Sequence, residues 1–199
     1  MFSRAERIRI KNHYDLTVIS YWQLLKDVRL IRIREIEAAD AAEFLALCKR
    51  LDNETTFMLL EPGERKTTME EQEEQIQSIL DKPNQTLFVG EEEGRLLGYI
   101  AALGGNYQRN QHKADIVIGV LQDYTGQGLG TRLFEKLEIW ARETGLHKLE
   151  LTVMAHNKRA IKLYKNMGFV VEGTSVDSLF VNGRYVDELD MAKIMNPRH

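Results

Sequence analysis

The segment Tyr124-Thr125-Gly126-Gln127-Gly128-Leu129-Gly130-Thr131 constrains this chain more than any other. It follows Ala114–Val120, a run rich in β-branched residues that reads as a strand. A helical pattern follows, from about Gly128 to Thr144, with an apolar face of Leu129, Leu133, Phe134, Leu137 and Trp140 or Ala141. The first turn of a helix leaves backbone N–H groups without partners, and its dipole places partial positive charge there. Glycines remove the side chains that would hold an anion away. Strand, glycine loop and helix N-terminus therefore form a cradle for phosphate.

Two common cradles do not fit. The dinucleotide fingerprint G-x-G-x-x-G needs a third glycine where Thr131 stands. The triphosphate loop needs G-K-S/T, and no lysine follows these glycines. A pyrophosphate held by backbone alone, without metal, fits better; a glycine-rich turn with no ligand is the plainer alternative.

Around this segment the pattern is mixed. Arg29 to Arg34 alternates as a strand, and Asp40 with Glu43 reads as a capping box before Ala41, Phe44, Leu45, Cys48 and Leu51 at helical spacing. Thr68 with Glu71 opens an acidic helix through Leu80, broken by Pro83-Asn84. A hairpin turns at Glu92-Glu93-Gly94, and another at Asn182-Gly183 between strands at about 169–180 and 184–194. Lys148–Val153 is a strand, and Asn157–Asn166 a short helix stopped near Gly168. The order is β-α-α-β-β-β-α-β-α-β-β. A right-handed crossover makes the strands near residues 114–120 and 148–153 parallel. The expected fold is α/β, a mixed sheet with helices on both faces. Residues 28–199 form one domain and residues 1–27 an N-terminal extension.

Composition narrows the classes. Hydrophobic residues make up 43% of the chain, enough for a real core, and a net charge of -3 gives no global field to recruit nucleic acid. One cysteine, Cys48, excludes an internal disulfide and reads as core; five scattered histidines predict no metal. No apolar run approaches the ~20 residues of a membrane span. The basic start at Arg4, Arg7, Arg9 and Lys11 lacks a cleavage pattern, so the expected location is cytoplasmic.

Two blocks carry a family resemblance. Val120 to Thr131 resembles the acetyl-CoA signature Q/R-x-x-G-x-G/A of the GNAT N-acetyltransferase superfamily, with Thr125 in place of the leading Gln or Arg. Asn157 to Phe169, then Gly173, is similar to that family's N-x-x-A-i-x-l-Y-x-x-x-G-F block. The resemblance covers roughly residues 28–194. It implies a GNAT-type, strongly twisted sheet with splayed parallel central strands. It implies acetyl-CoA as co-substrate, no metal, and direct transfer to a primary amine of a small molecule or peptide. A non-catalytic acyl-CoA sensor of the same fold stays open, as does a homodimer.

The same resemblance implies roles. Ile118, Gly119 and Val120 would pair with the pantetheine arm, and the Val120 N–H would polarise the thioester carbonyl. Thr125, Gly126, Gln127, Gly128, Leu129, Gly130 and Thr131 would hold the pyrophosphate, and Asn157 would cap its helix and touch the cofactor. Tyr164 reads from its neighbours as packing with Ala160 and Ile161; the resemblance makes it a cofactor contact and the acid for the leaving thiolate. The base is open among Asp115, Glu61 and Glu150, each of which reads alone as a solvated or salt-bridged residue, and the water chain that many family members use instead. The acidic stretch Glu61–Asp81 could attract a cationic amine or be a solvated helix face.

Overall fold

The computed structural model describes residues 30–195, so the expected extension, residues 1–27, lies outside the described residues. The chain divides between Ile31 and Arg32, and every element below belongs to the second unit. In chain order these are β1 (Arg32–Glu35), α1 (Ala41–Glu54), α2 (Met69–Leu80), β2 (Gln85–Glu92), β3 (Arg95–Gly104), β4 (Lys113–Val120), α3 (Leu129–Glu143), β5 (Lys148–Met154), α4 (Lys158–Asn166), β6 (Val170–Val181) and β7 (Arg184–Ile194). The strands form one sheet in the order β1-β2-β3-β4-β5-β7-β6. Only β4 and β5 pair in parallel. The element order is the one the sequence pattern predicts.

Local chemistry explains most boundaries. Glu93-Gly94 and Asn182-Gly183 have positive φ at both turn positions, 51° and 79° in the first and 50° and 77° in the second. That twist suits two-residue hairpins. The capping box of α2 is formed: Thr68 Oγ1 accepts from the Glu71 N–H, and the Thr68 N–H donates to Glu71. The box expected at Asp40 and Glu43 is not. Asp40 accepts from Arg34 at 2.6 and 2.8 Å and from the Glu37 N–H at 2.8 Å, which closes the turn Ala38–Asp40. A bidentate guanidinium outcompetes a neutral backbone donor for that carboxylate. Glu43 turns instead to Arg50 and the Leu96 N–H. Of the strand expected over Arg29 to Arg34, Arg29 lies outside the described residues, and the ladder with β2 begins at Arg32.

The register sorts the two faces. Tyr99 sits opposite Gly119, and Gly98 opposite both Gly90 and Val120. α1 lies on the Tyr99–Gly119 face: Phe44 meets Tyr99 edge-on at 5.1 Å, and a Cβ added to Gly119 would be 2.7 Å from Leu51. α3 lies on the opposite face, where a Cβ at Gly90 would be 2.8 Å from Leu129. Its apolar stripe ends on Ala141, fully buried. α4 joins α3 on this side through Leu163, which approaches Gly130, and through the rings of Tyr164, Phe134 and Phe169.

The central strands part company early. β4 and β5 pair only at Lys113–Lys148, Ala114–Leu149 and Asp115–Glu150, although β4 continues to Val120 and β5 to Met154. On its other side β4 stays paired with β3 to Val120. The Leu121 N–H donates to the Leu97 carbonyl at 2.9 Å, which fixes the alternation along that ladder. Gly119 therefore bonds toward β3, while Ile118 and Val120 turn N–H and C=O into the gap.

Candidate active site

A cleft of about 860 Å³ opens at this gap. One wall is Ile118, Gly119 and Val120 from β4. The glycine loop and the start of α3 add Thr125, Gly126, Gly128, Gly130 and Thr131. α4 and its cap add Asn157, Arg159, Lys162, Leu163 and Asn166, and the far wall is Leu51, Glu54 and the run from Thr55 to Met58.

The loop is built as an anion cradle. Gly126 and Gly128 hold φ of 76° and 87°, a region that penalises side chains. Gly128 caps α3 without a side chain, and the first helical bond runs from the Arg132 N–H to its carbonyl. The N–H groups of Leu129, Gly130 and Thr131 are thus left for a ligand. A Cβ at Gly130 would stand 3.0 Å from Leu163, so α4 packs closely on this bare backbone. Leu129 points its side chain into the core, and Gln127 turns its amide to the Asp123 carbonyl; both offer the cradle backbone only. Asn157 caps α4, accepting from the Ala160 N–H at 3.1 Å.

The expected acid and bases are placed differently from one another. Tyr164 is 7% exposed, its ring against Phe134 at 5.8 Å and Phe169 at 6.2 Å, and it is not among the side chains lining the cleft. Burial pushes its hydroxyl up to about 12, so it stays protonated at neutral pH. Asp115 is exposed on β4, before the strands part. Glu61 is exposed in the loop between α1 and α2. Glu150 is clamped by Lys113 at 2.5 Å and Lys148 at 2.8 Å. Burial would raise its carboxyl, but these two lysines together hold it below the usual range. None of the three lines the cleft.

A fourth carboxylate does, and sequence reasoning missed it. Glu54 ends α1 and accepts the Gln122 N–H at 2.9 Å, two residues past Val120. Phe57 beside it meets His156 across the mouth, ring centres 5.3 Å apart. Arg159 and Lys162 were also missed. With Leu163 and Asn166 they make an i, i+3, i+4, i+7 stripe on α4, a signal legible in the sequence.

Orphan backbone donors, a loop whose glycines hold positive φ and an open strand edge suit a thin ligand carrying phosphate. A profile of the Acetyltransferase (GNAT) family matches residues 46–169, from α1 to Phe169. The chain belongs to the GNAT acetyltransferase family. Among GNAT relatives, the L-amino acid N-acetyltransferase AaaT of Escherichia coli (strain K12) is 32% identical over 117 residues, 58% of this chain and 72% of AaaT. A spermidine N(1)-acetyltransferase of Vibrio cholerae is 28% identical over 159 residues, 79% of this chain and 88% of that protein. The solved GNAT acetyltransferase of Streptococcus pneumoniae superposes with a TM-score of 0.81 at 30% identity, covering 84% of this chain and all (100%) of that one. The GNAT activity is acetyl transfer from acetyl-CoA to an amine. Among the described residues no group of three or more His, Cys, Asp or Glu could hold a metal, and no helix is long and apolar enough to cross a membrane.

Proposed function

We propose that this chain is a GNAT enzyme acetylating a primary amine that carries no carboxylate beside its nucleophilic nitrogen. One observation supports this: the cleft divides its charge. Arg159 and Lys162 stand with the glycine loop on the α3–α4 side, while Glu54, the sole carboxylate lining the cleft among the described residues, ends α1 on the other. The cationic half suits the phosphates of the donor. The anionic half suits an ammonium and would repel an amino acid's carboxylate. The relatives include both an L-amino acid and a spermidine acetyltransferase, and the charge pattern favours the second kind of acceptor.

Within this reading the chain's own groups divide the work. Ile118 and Val120 offer their free backbone edge to an extended donor, and the Val120 N–H donates to the thioester carbonyl oxygen as charge develops there. Glu54 holds the amine, using the oxygen that Gln122 leaves without a partner. The bound ammonium first gives one proton to Glu54 or water; the free amine nitrogen then bonds to the carbonyl carbon and sheds a second proton to water as the C–S bond breaks and the coenzyme leaves as its thiolate. The family resemblance gives Tyr164, next in the chain to the cleft-lining Leu163, the hydrogen bond to the departing sulfur. We assign residues 28–199 to the acetyltransferase domain and residues 1–27 to an extension. The single, buried Cys48 supports a cytoplasmic setting.

The test follows thiol release from acetyl-CoA with alkyl monoamines, polyamines, L-amino acids and peptides. Saturable release is expected with monoamines or polyamines, and little with free amino acids. Amino acids as the best acceptors would overturn the acceptor assignment. Glu54→Gln is expected to raise the acceptor KM about threefold, the loss of one exposed ion pair, with the donor KM unchanged.

A further inference from the structure

We infer that Arg159 supplies the cation that grips the donor's pyrophosphate, reaching over the glycine loop from α4. The inference rests on the donor site assigned above. A Cβ built on Gly126 would lie 2.6 Å from Arg159 Nη2, so the guanidinium rests directly above the loop backbone. The positive φ of 76° calls for glycine at 126, and the guanidinium occupies the space a side chain there would take.

Nothing else in the loop can do this work. The Thr125 hydroxyl donates to the Gln122 carbonyl at 2.6 Å, the Gln127 amide is turned away to the Asp123 carbonyl, and Gly126, Gly128 and Gly130 have no side chain. Among the described residues Arg159 has no carboxylate partner. It instead stands beside the positive end of the α3 dipole and one turn from Lys162. Positive groups converging without an anion repel one another. A doubly charged pyrophosphate between Arg159 and the N–H groups of Leu129, Gly130 and Thr131 relieves that repulsion. Guanidinium geometry suits two phosphate oxygens at once, which a point charge such as lysine cannot match.

The test is calorimetric binding of free coenzyme A and of pantetheine, which lacks the phosphates. Arg159→Ala is expected to weaken coenzyme A about tenfold and to leave pantetheine unchanged. Arg159→Lys should fall between. Adding Thr125→Arg to Arg159→Ala should restore most of the coenzyme A affinity by returning the charge from the other side of the loop. Equal weakening of both ligands would assign Arg159 a structural role and overturn the inference, as would unchanged coenzyme A binding. Wild-type protein that binds coenzyme A but releases no thiol with any amine would sink the acetyl-transfer assignment while leaving this comparison decisive.

Discussion

Tyr164→Phe is expected to lower kcat about a hundredfold, with both KM values nearly unchanged. The substitution keeps the ring against Phe134 and Phe169 and removes only an oxygen that has no hydrogen-bond partner among the described residues. Stability should therefore hold at neutral pH. A hydroxyl raised to about 12 is a weaker acid than the departing thiol, whose ordinary pKa is near ~8.5. Its fitting role is a hydrogen bond to the developing thiolate, not full proton transfer. The loss should thus shrink sharply with an aryl thioester donor, whose thiolate leaves unaided. An unchanged kcat would return Tyr164 to a packing role. The same burial predicts a pH effect. The folded tyrosine keeps its proton to about 12, the unfolded one releases it near 10.0, so stability falls as pH rises through that window. Tyr164→Phe should remove this part of the alkaline loss.

Asp52→Ala should cost about 3–5 kcal/mol of stability, read as the shift in urea midpoint. Asp52 is 2% exposed on α1 and binds Arg65 through two bonds of 2.6 and 3.0 Å. Arg65 is held above its usual range chiefly by that carboxylate. Removing Asp52 strands the guanidinium near Cys48 and Tyr99, both apolar surroundings in which burial pushes the Cys48 thiol up to about 11. Asp52→Ala combined with Arg65→Met should recover much of the loss, because no charge is then left buried. Arg65 also anchors the segment between α1 and α2, which begins with the cleft-lining run from Thr55 to Met58. The acceptor KM should rise with the single substitution, while the donor KM stays put. A destabilisation below about 1 kcal/mol would show the pair to be a surface contact in effect.

Much of this was legible in the sequence, for identifiable reasons. Turns and caps are local, so Asn182-Gly183, Thr68 with Glu71 and Gly145 behave as short-range chemistry requires. Asp40 misled because its partner, Arg34, arrives from a neighbouring strand rather than from its own helix. The donor half was legible because glycines and Asn157 sit in contiguous segments. Glu54 was not: it ends a helix as one more exposed acidic residue, and only folding brings it beside Gln122, 68 positions away. Arg159 had a visible stripe, but what it hovers over depends on the packing of α4 beside α3.

The parting of β4 and β5 also bears on self-association. An outer edge strand invites any extended chain to pair with it, side chains and all. Here an unpaired edge opens inside the sheet instead, between walls supplied by α1, the glycine loop and α4. Gly119 and Gly130 keep the backbone beside that edge bare, with Leu51 and Leu163 packed close over them. The slot thus holds one strand's worth of open backbone edge in an enclosed place, where the walls of the cleft rather than bulk solvent flank it.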